Sequence, residues 1–189
     1  AVWDNACEQF EKLAKTTDDG NFLIFMPGAY EISRTIGRIC RSPAARGFEV
    51  LALHGELPPG EQDRVLSESS KRKVIVSTNV AETSLTIDGI KFVIDSGLAR
   101  VARYDPARGV NTLLTERISL ASAAQRAGRA GRTAPGKVVR LWRASDEATF
   151  EKYTPSEISR LDLSQIVLWL AAAGMDAGGI GLFEAPPED

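Results

Sequence analysis

Cysteine and histidine are nearly missing from these 189 residues: two cysteines, Cys7 and Cys40, and one histidine, His54. The thiols stand far apart in the chain, so neither a disulfide framework nor a zinc site of thiolates and imidazoles can be assembled. No metal ligand set is expected, and reduced thiols point to a cytoplasmic setting. Long apolar runs are missing as well. The longest, Ile166–Ala173, has eight residues, against the roughly 20 that a membrane-spanning helix needs, so no membrane partner is expected. The opening Ala-Val-Trp-Asp-Asn-Ala-Cys has no methionine, no basic start and no apolar signal core, and it reads as a cut inside a longer chain. Nor is there a Gly-x-x-x-x-Gly-Lys-[Ser/Thr] segment; Gly136-Lys137-Val138 is not one. The loop that cradles β- and γ-phosphates is therefore absent.

A global excess of positive charge is also lacking, with a net charge of -2, but the charge is unevenly placed. Residues 1–70 carry 7 basic and 11 acidic side chains, residues 71–143 carry 14 and 5, and residues 144–189 carry 2 and 9. A basic centre between acidic flanks would attract a phosphate-rich partner, or it is simply an unevenly charged solvated surface. At 43% apolar and 25% charged residues, the chain can form a real core.

The apolar pattern predicts strands at Phe22–Met26, Glu49–Leu53, Lys73–Ser77 and Lys91–Asp95, with helices at Ala29–Cys40 and Pro59–Ser69 between them. Strands alternating with helices form a parallel sheet covered on both faces, an α/β fold. Val101–Tyr104 and Val110–Glu116 flank the turn cluster Asp105–Gly109 and predict an inserted antiparallel β-hairpin. Further on, a helix capped by Ser119 runs to Gly128, a strand spans Lys137–Trp142, and a short helix spans Asp146–Lys152. Leu163, Ile166, Val167, Leu170 and Ala171 mark one more helix. A soft boundary near residue 154 divides a domain over 1–154 from a helical extension over 155–189.

Two segments carry chemistry. Gln125-Arg-Ala-Gly-Arg-Ala-Gly-Arg132 sets three arginines three apart among small residues. Such a row can fork onto the phosphates of a triphosphate and offset charge developing in phosphoryl transfer. It can equally be an exposed basic helix or a structural ion-pair network. Ser77–Gly89 is rich in hydroxyls, with an amide and two carboxylates. It leaves the C-terminal end of a parallel strand, where open α/β sheets bind ligands, although Ser and Thr also serve as ordinary helix caps.

Together these segments resemble the second RecA-like domain of DEAH-box helicases of superfamily 2, most nearly the bacterial HrpB type. Phe22–Ile32 is similar to motif IV, Ser77–Gly89 to motif V and Gln125–Arg132 to motif VI. Leu53–Pro58 and Val93–Gly97 are similar to the shorter elements between them, and Leu161–Gly174 to the opening of a winged-helix module. Ala127 and the Ala-Glu-Thr-Ser-Leu-Thr run favour the cellular type over the viral branch. The resemblance implies that Arg129 and Arg132 are arginine fingers, with Gln125 beside them, while Arg126 holds interdomain structure. Ser84, Thr86 and Asp88 would lie on the nucleotide side. Thr78, Asn79 and the Gly28 amide would meet the nucleic-acid backbone, and the hairpin would stand near the point of strand separation.

The implied cofactors are ATP and Mg2+, held mainly by an upstream RecA-like domain of the same chain; the implied partner is single-stranded RNA or DNA. No Asp-Glu-x-His segment is present, so this chain alone should hydrolyse ATP negligibly. Glu56 departs from the family, which often has a hydroxyl there; a carboxylate would repel a phosphate. No adenine-stacking aromatic is evident. His54 is expected to be packed or hydrogen-bonded, and Trp3, Trp142 and Trp169 to be core or interface aromatics. The contrasting expectation is a non-catalytic RecA-like module that docks RNA or protein.

Overall fold

A computed structural model describes residues 1–83, 85–131, 135–176, 178, 181 and 184–185. Its contacts divide the chain into two units, one of residues 1–99 and 116–153, the other of residues 100–115 and 154–189.

The first unit is built on a five-stranded parallel sheet. In chain order it contains α1 (Val2–Ala14), β1 (Asn21–Phe25), α2 (Ala29–Ile39), β2 (Phe48–Leu53), α3 (Pro59–Leu66), β3 (Arg72–Ser77), α4 (Val80–Thr83) and β4 (Ile90–Asp95). After the hairpin strands β5 (Leu98–Asp105) and β6 (Val110–Arg117) come α5 (Leu120–Ala127) and β7 (Lys137–Arg140). The strand order is β2-β3-β1-β4-β7, every pairing parallel. The doubly covered α/β fold and the separate antiparallel hairpin follow the expectation.

Burial on both faces explains why β1 reads as an unbroken apolar run. Phe22 and Ile24 point to the face covered by α1 and α2, together with Phe10, Ile32 and Ile39. Leu23 and Phe25 point to the other, with Val65 of α3, Ala81 of α4 and Ala130. No element was expected before residue 20. The structure places α1 there, with Ala6, Cys7, Phe10 and Leu13 buried along one stripe and the Phe10 ring edge-on to Phe22 at 5.0 Å.

Two basic side chains fix the lower edge of the sheet. Arg72 donates to the carbonyls of Gly20, Thr17 and Asp19 and lies 4.5 Å from the Phe48 ring centre; burial pulls its basicity down. Lys73, 4% exposed, donates from Nζ to the carbonyls of Arg64 and Val65 at 3.0 Å, and to that of Ser67. Those bonds draw the terminal carbonyls of α3 aside, which is why the helix stops at Leu66 rather than at the expected Ser69. Replacing Lys73 by methionine leaves these carbonyls without their charged donor. The expected loss is about 1–3 kcal/mol, read as a lower urea midpoint of this chain.

Other boundaries move more modestly. The expected helix at 146–152 is instead a 3-10 segment over Ala144–Thr149, and β7 ends at Arg140. Trp142 packs on Gly97, where a Cβ would come within 2.7 Å of the ring, and its ring centre is 5.5 Å from that of Phe150.

In the second unit, Arg160 ties the hairpin to the C-terminal segment. Its Nη1 donates to Ala102 O at 2.5 Å and its carbonyl accepts from Tyr104 N at 2.8 Å. Asp162 N donates to Asn111 Oδ1 at 3.0 Å. α6 (Ser164–Ala172) follows, and on it Trp169 is exposed, so of the two expected roles it is not in the core of this chain. Among the described residues, no helix is long and apolar enough to cross a membrane.

Candidate functional site

The C-terminal ends of the strands form one cross-linked edge. Phe25 is in register with both Ser77 and Asp95, and Leu53 with Ser77. Beyond the strands, Met26 N donates to Ser77 O at 2.8 Å, Thr78 N to Leu53 O at 3.1 Å and Ser96 N to Phe25 O at 3.2 Å. Gly28, Thr78 and Asn79 therefore share this edge. Gly28 is buried at the start of α2 and accepts from Ile32 N at 3.0 Å; Thr78 is half-buried and Asn79 is exposed. His54 follows the end of β2, half-buried, and its Nδ1 is buried with no hydrogen-bond partner among the described residues.

From Thr78 the chain runs the length of the sheet to the start of β4. It forms the single turn α4 where only a hydroxyl-rich loop was expected. The far end is held by Asn21, whose Nδ2 donates to Asp88 O at 3.1 Å and whose backbone N–H donates to Gly89 O at 2.8 Å. Thr86 and Asp88 are exposed, and they sit toward the opposite edge of the sheet from Gly28, Thr78 and Asn79. The structure thus separates the two groups of residues for which the resemblance implied contact with nucleotide and with nucleic acid. Ser84 lies outside the described residues.

α5 begins with Ser119, whose Oγ accepts from Ser122 N at 3.1 Å. Small residues, Ala121, Ser122, Ala123 and Ala124, allow the helix to lie close to its neighbours. It presents Gln125 to solvent and turns Arg126 inward. Arg126 is 1% exposed. Its Nε donates to Glu82 Oε2 at 3.0 Å, its Nη1 to Asp95 Oδ1 at 2.9 Å and to Leu98 O at 3.3 Å, and its guanidinium carbon lies 4.7 Å from the Phe25 ring centre. Burial pushes the Asp95 carboxyl up and Arg126 pulls it back.

All these partners belong to the first unit, so within this chain Arg126 serves as an internal strut. A buried guanidinium needs such pairing, because an isolated buried charge is very costly. Arg129 follows one turn later and is half-buried. Its Nη1 donates to Leu85 O at 2.9 Å and its Nη2 to Glu82 O. These are main-chain acceptors, Glu82 O within the last turn of α4, where helical carbonyls have no partner within the helix, and Leu85 O just beyond it. Arg132 lies outside the described residues. Gly136, just before β7, lies close against Ala130: a Cβ on it would fall 1.9 Å from Ala130 O.

The arrangement joins the two segments singled out from the sequence into one body on one face of the sheet. It presents Gln125 at the surface and carries Arg129 on a long side chain able to exchange carbonyl oxygens for those of a phosphate. Among the described residues, no group of three or more His, Cys, Asp or Glu could hold a metal ion. The residues that sequence reading missed are Glu82 and Asp95 as partners of Arg126. They stand 44 and 31 positions from it in the chain, and no local spacing relates them.

Comparison with known proteins gives a consistent result. The family profile described as "Helicase conserved C-terminal domain" matches residues 5–134. ATP-dependent RNA helicase HrpA of Escherichia coli is 42% identical over 168 residues, covering 88% of this chain and 13% of HrpA. Probable ATP-dependent RNA helicase DHX34 of Homo sapiens is 42% identical over 173 residues, covering 89% of this chain and 15% of that protein. The crystal structure of Escherichia coli DEAH/RHA helicase HrpB superposes with a TM-score of 0.84 at 35% identity, over 99% of this chain and 24% of HrpB. The chain therefore spans a quarter or less of the length of each of these relatives.

Proposed function

The chain belongs to the helicase conserved C-terminal domain family, as a RecA-like domain of the DEAH type, and from that premise we propose that it is the second motor domain of an ATP-dependent RNA helicase. In this reading it supplies Arg129, Arg132 and Gln125 to ATP bound by an upstream RecA-like domain. That first domain also holds most of the Mg2+ coordination, which this chain's scattered carboxylates do not fit. ATP with its metal supplies the reactive phosphoanhydride. Arg129 and Arg132 bind and offset negative charge on its phosphates, and Gln125 orients polar groups beside them. Ser84, Thr86 and Asp88 complete the nucleotide side, while Gly28, Thr78 and Asn79 bind the backbone of single-stranded RNA or DNA in the cytoplasm.

The observation that carries this reading is the hydrogen bonding of Arg129 to the Glu82 and Leu85 carbonyls. It makes the nucleotide-facing arginine continuous with a segment whose other end, Thr78 and Asn79, lies on the edge assigned to nucleic acid. A nucleotide-dependent pull on Arg129 would then be felt at the nucleic acid, the coupling that stepping requires.

The same contacts admit a second reading, in which Arg129 only holds the fold of a non-catalytic docking module. ATP turnover separates the two. This chain alone is expected to turn over ATP negligibly, and a mixture with the separately expressed upstream domain to show turnover stimulated by single-stranded RNA. Absence of turnover from two folded, associated pieces supports the docking module.

A further inference from the structure

Glu82 stands out because it holds two arginines in two different ways. Its carboxylate accepts from Nε of Arg126, and its main-chain carbonyl accepts from Nη2 of Arg129. We propose that Glu82 is a positioning residue for Arg129, the pivot that sets where the nucleotide-facing guanidinium stands. The proposal rests on the reading of Arg129 as the arginine that meets ATP.

Charge balance alone does not require Glu82. Asp95, 1% exposed, already pairs with Arg126 at 2.9 Å, and one carboxylate neutralises one guanidinium. Glu82 has a different task. It sits on α4, a four-residue helix, and a single turn cannot sustain itself, since the first hydrogen-bonded turn of a helix is the unfavourable step. The Glu82 carboxylate fastens this turn to α5 through Arg126, which is itself fastened to the end of β4 through Asp95 and stacked on Phe25. With α4 fixed, the carbonyls of Glu82 and Leu85 become fixed acceptors that aim Arg129. The chain of contacts therefore runs from the core of the sheet through Arg126 and Glu82 to Arg129.

Arg129 has a long side chain with several rotatable bonds, and its contribution to catalysis depends on placement. A misplacement of about 1 Å costs on the order of 10²-fold in rate. Releasing α4 should therefore cost turnover without touching the nucleotide.

The test uses the full-length polypeptide with Glu82→Ala, Glu82→Gln, Arg129→Ala and the double variant Glu82→Ala/Arg129→Ala. ATP turnover is measured in each, with melting curves to verify folding. Glu82→Ala is expected to lower kcat by about 10- to 10²-fold while the KM for ATP stays within about threefold. Glu82→Gln, whose amide oxygen still accepts from Arg126, recovers most of the rate. In the Arg129→Ala background, Glu82→Ala has no further effect, because a residue that acts through Arg129 has nothing left to position. In the isolated 189-residue chain, amide hydrogen exchange over residues 78–89 rises in Glu82→Ala and not in Glu82→Gln.

Wild-type turnover in Glu82→Ala, or a loss that adds in full to that of Arg129→Ala, overturns the proposal. Where Glu82→Ala does not fold, Glu82→Asp, which keeps the charge but retracts it by a methylene, is carried through the same cycle. Unchanged turnover in Arg129→Ala defeats the functional reading and the proposal together. Loss in Arg129→Ala with none in Glu82→Ala defeats the positioning role alone.

Discussion

Replacing Arg129 by alanine in the full-length polypeptide is expected to lower ATP turnover by about 10³- to 10⁵-fold, the range that arginine fingers contribute to phosphoryl transfer. The transition state spreads negative charge over the transferring phosphoryl oxygens, and a guanidinium is a permanent, planar, two-pronged donor matched to them. Lysine should restore little, because a point charge cannot fork onto two oxygens. The measurement is kcat under saturating ATP and single-stranded RNA, with Arg132→Ala as a parallel expected to fall within the same range.

Arg129 is half-buried, and among its acceptors are the main-chain groups Leu85 O and Glu82 O. Losing a hydrogen bond from a charged donor costs about 1.5–3 kcal/mol, against the roughly 5–15 kcal/mol by which a domain is stable, so the fold should survive the substitution. A folded Arg129→Ala protein with turnover within about threefold of wild type would sink the motor reading in favour of the docking module.

Arg126 is the contrasting case, and its replacement by alanine is expected to act on stability. The side chain is 1% exposed and pairs with both the Glu82 and the Asp95 carboxylates. Removing one partner of a buried ion pair leaves the others uncompensated, at about 3–5 kcal/mol. That is a large share of the roughly 5–15 kcal/mol by which a domain is stable.

For a chain of this size the corresponding fall in Tm is roughly 6–20 °C, to be read from the thermal melt of the isolated 189-residue chain. Arg126→Lys is expected to rescue poorly, since an ammonium lacks the planar spread that reaches Glu82 and Asp95 from separate nitrogens. A Tm within about 2 °C of wild type in Arg126→Ala would show that the strut contributes nothing. Residues 126 and 129 belong to one repeating motif, yet the first is expected to govern folding and the second turnover.

The sheet was legible because its determinants are local. Phe22–Phe25 carries enough apolar side chains to cover two faces, and Ile32 and Ile39 of α2 recur on the stripe that packs beneath them. Pro59 at the start of α3 and Ser119 at the cap of α5 are equally short-range signals. Such patterns involve residues within a turn or two, so the α/β class, the strand positions and the arginine-rich and hydroxyl-rich segments could be read directly. The end of α3 could not, because it is set by Lys73, a residue of the next strand. Nor was α1 read, although its buried stripe of Ala6, Cys7, Phe10 and Leu13 was there to be found.

What the amino-acid order determined by itself is the inventory of this site: three arginines at fixed spacing, a hydroxyl-rich crossover and the absence of a phosphate loop. Spacing could place these arginines along one element, but it could not decide which would turn inward. That was decided by the tertiary fold, which brings Glu82 and Asp95, 44 and 31 residues away in the chain, against Arg126. The physical reason is desolvation. A guanidinium can be buried only where folding has already gathered its counter-charges, so the roles of Arg126 and Arg129 diverge with the carboxylate and carbonyl partners that the packed sheet presents to each.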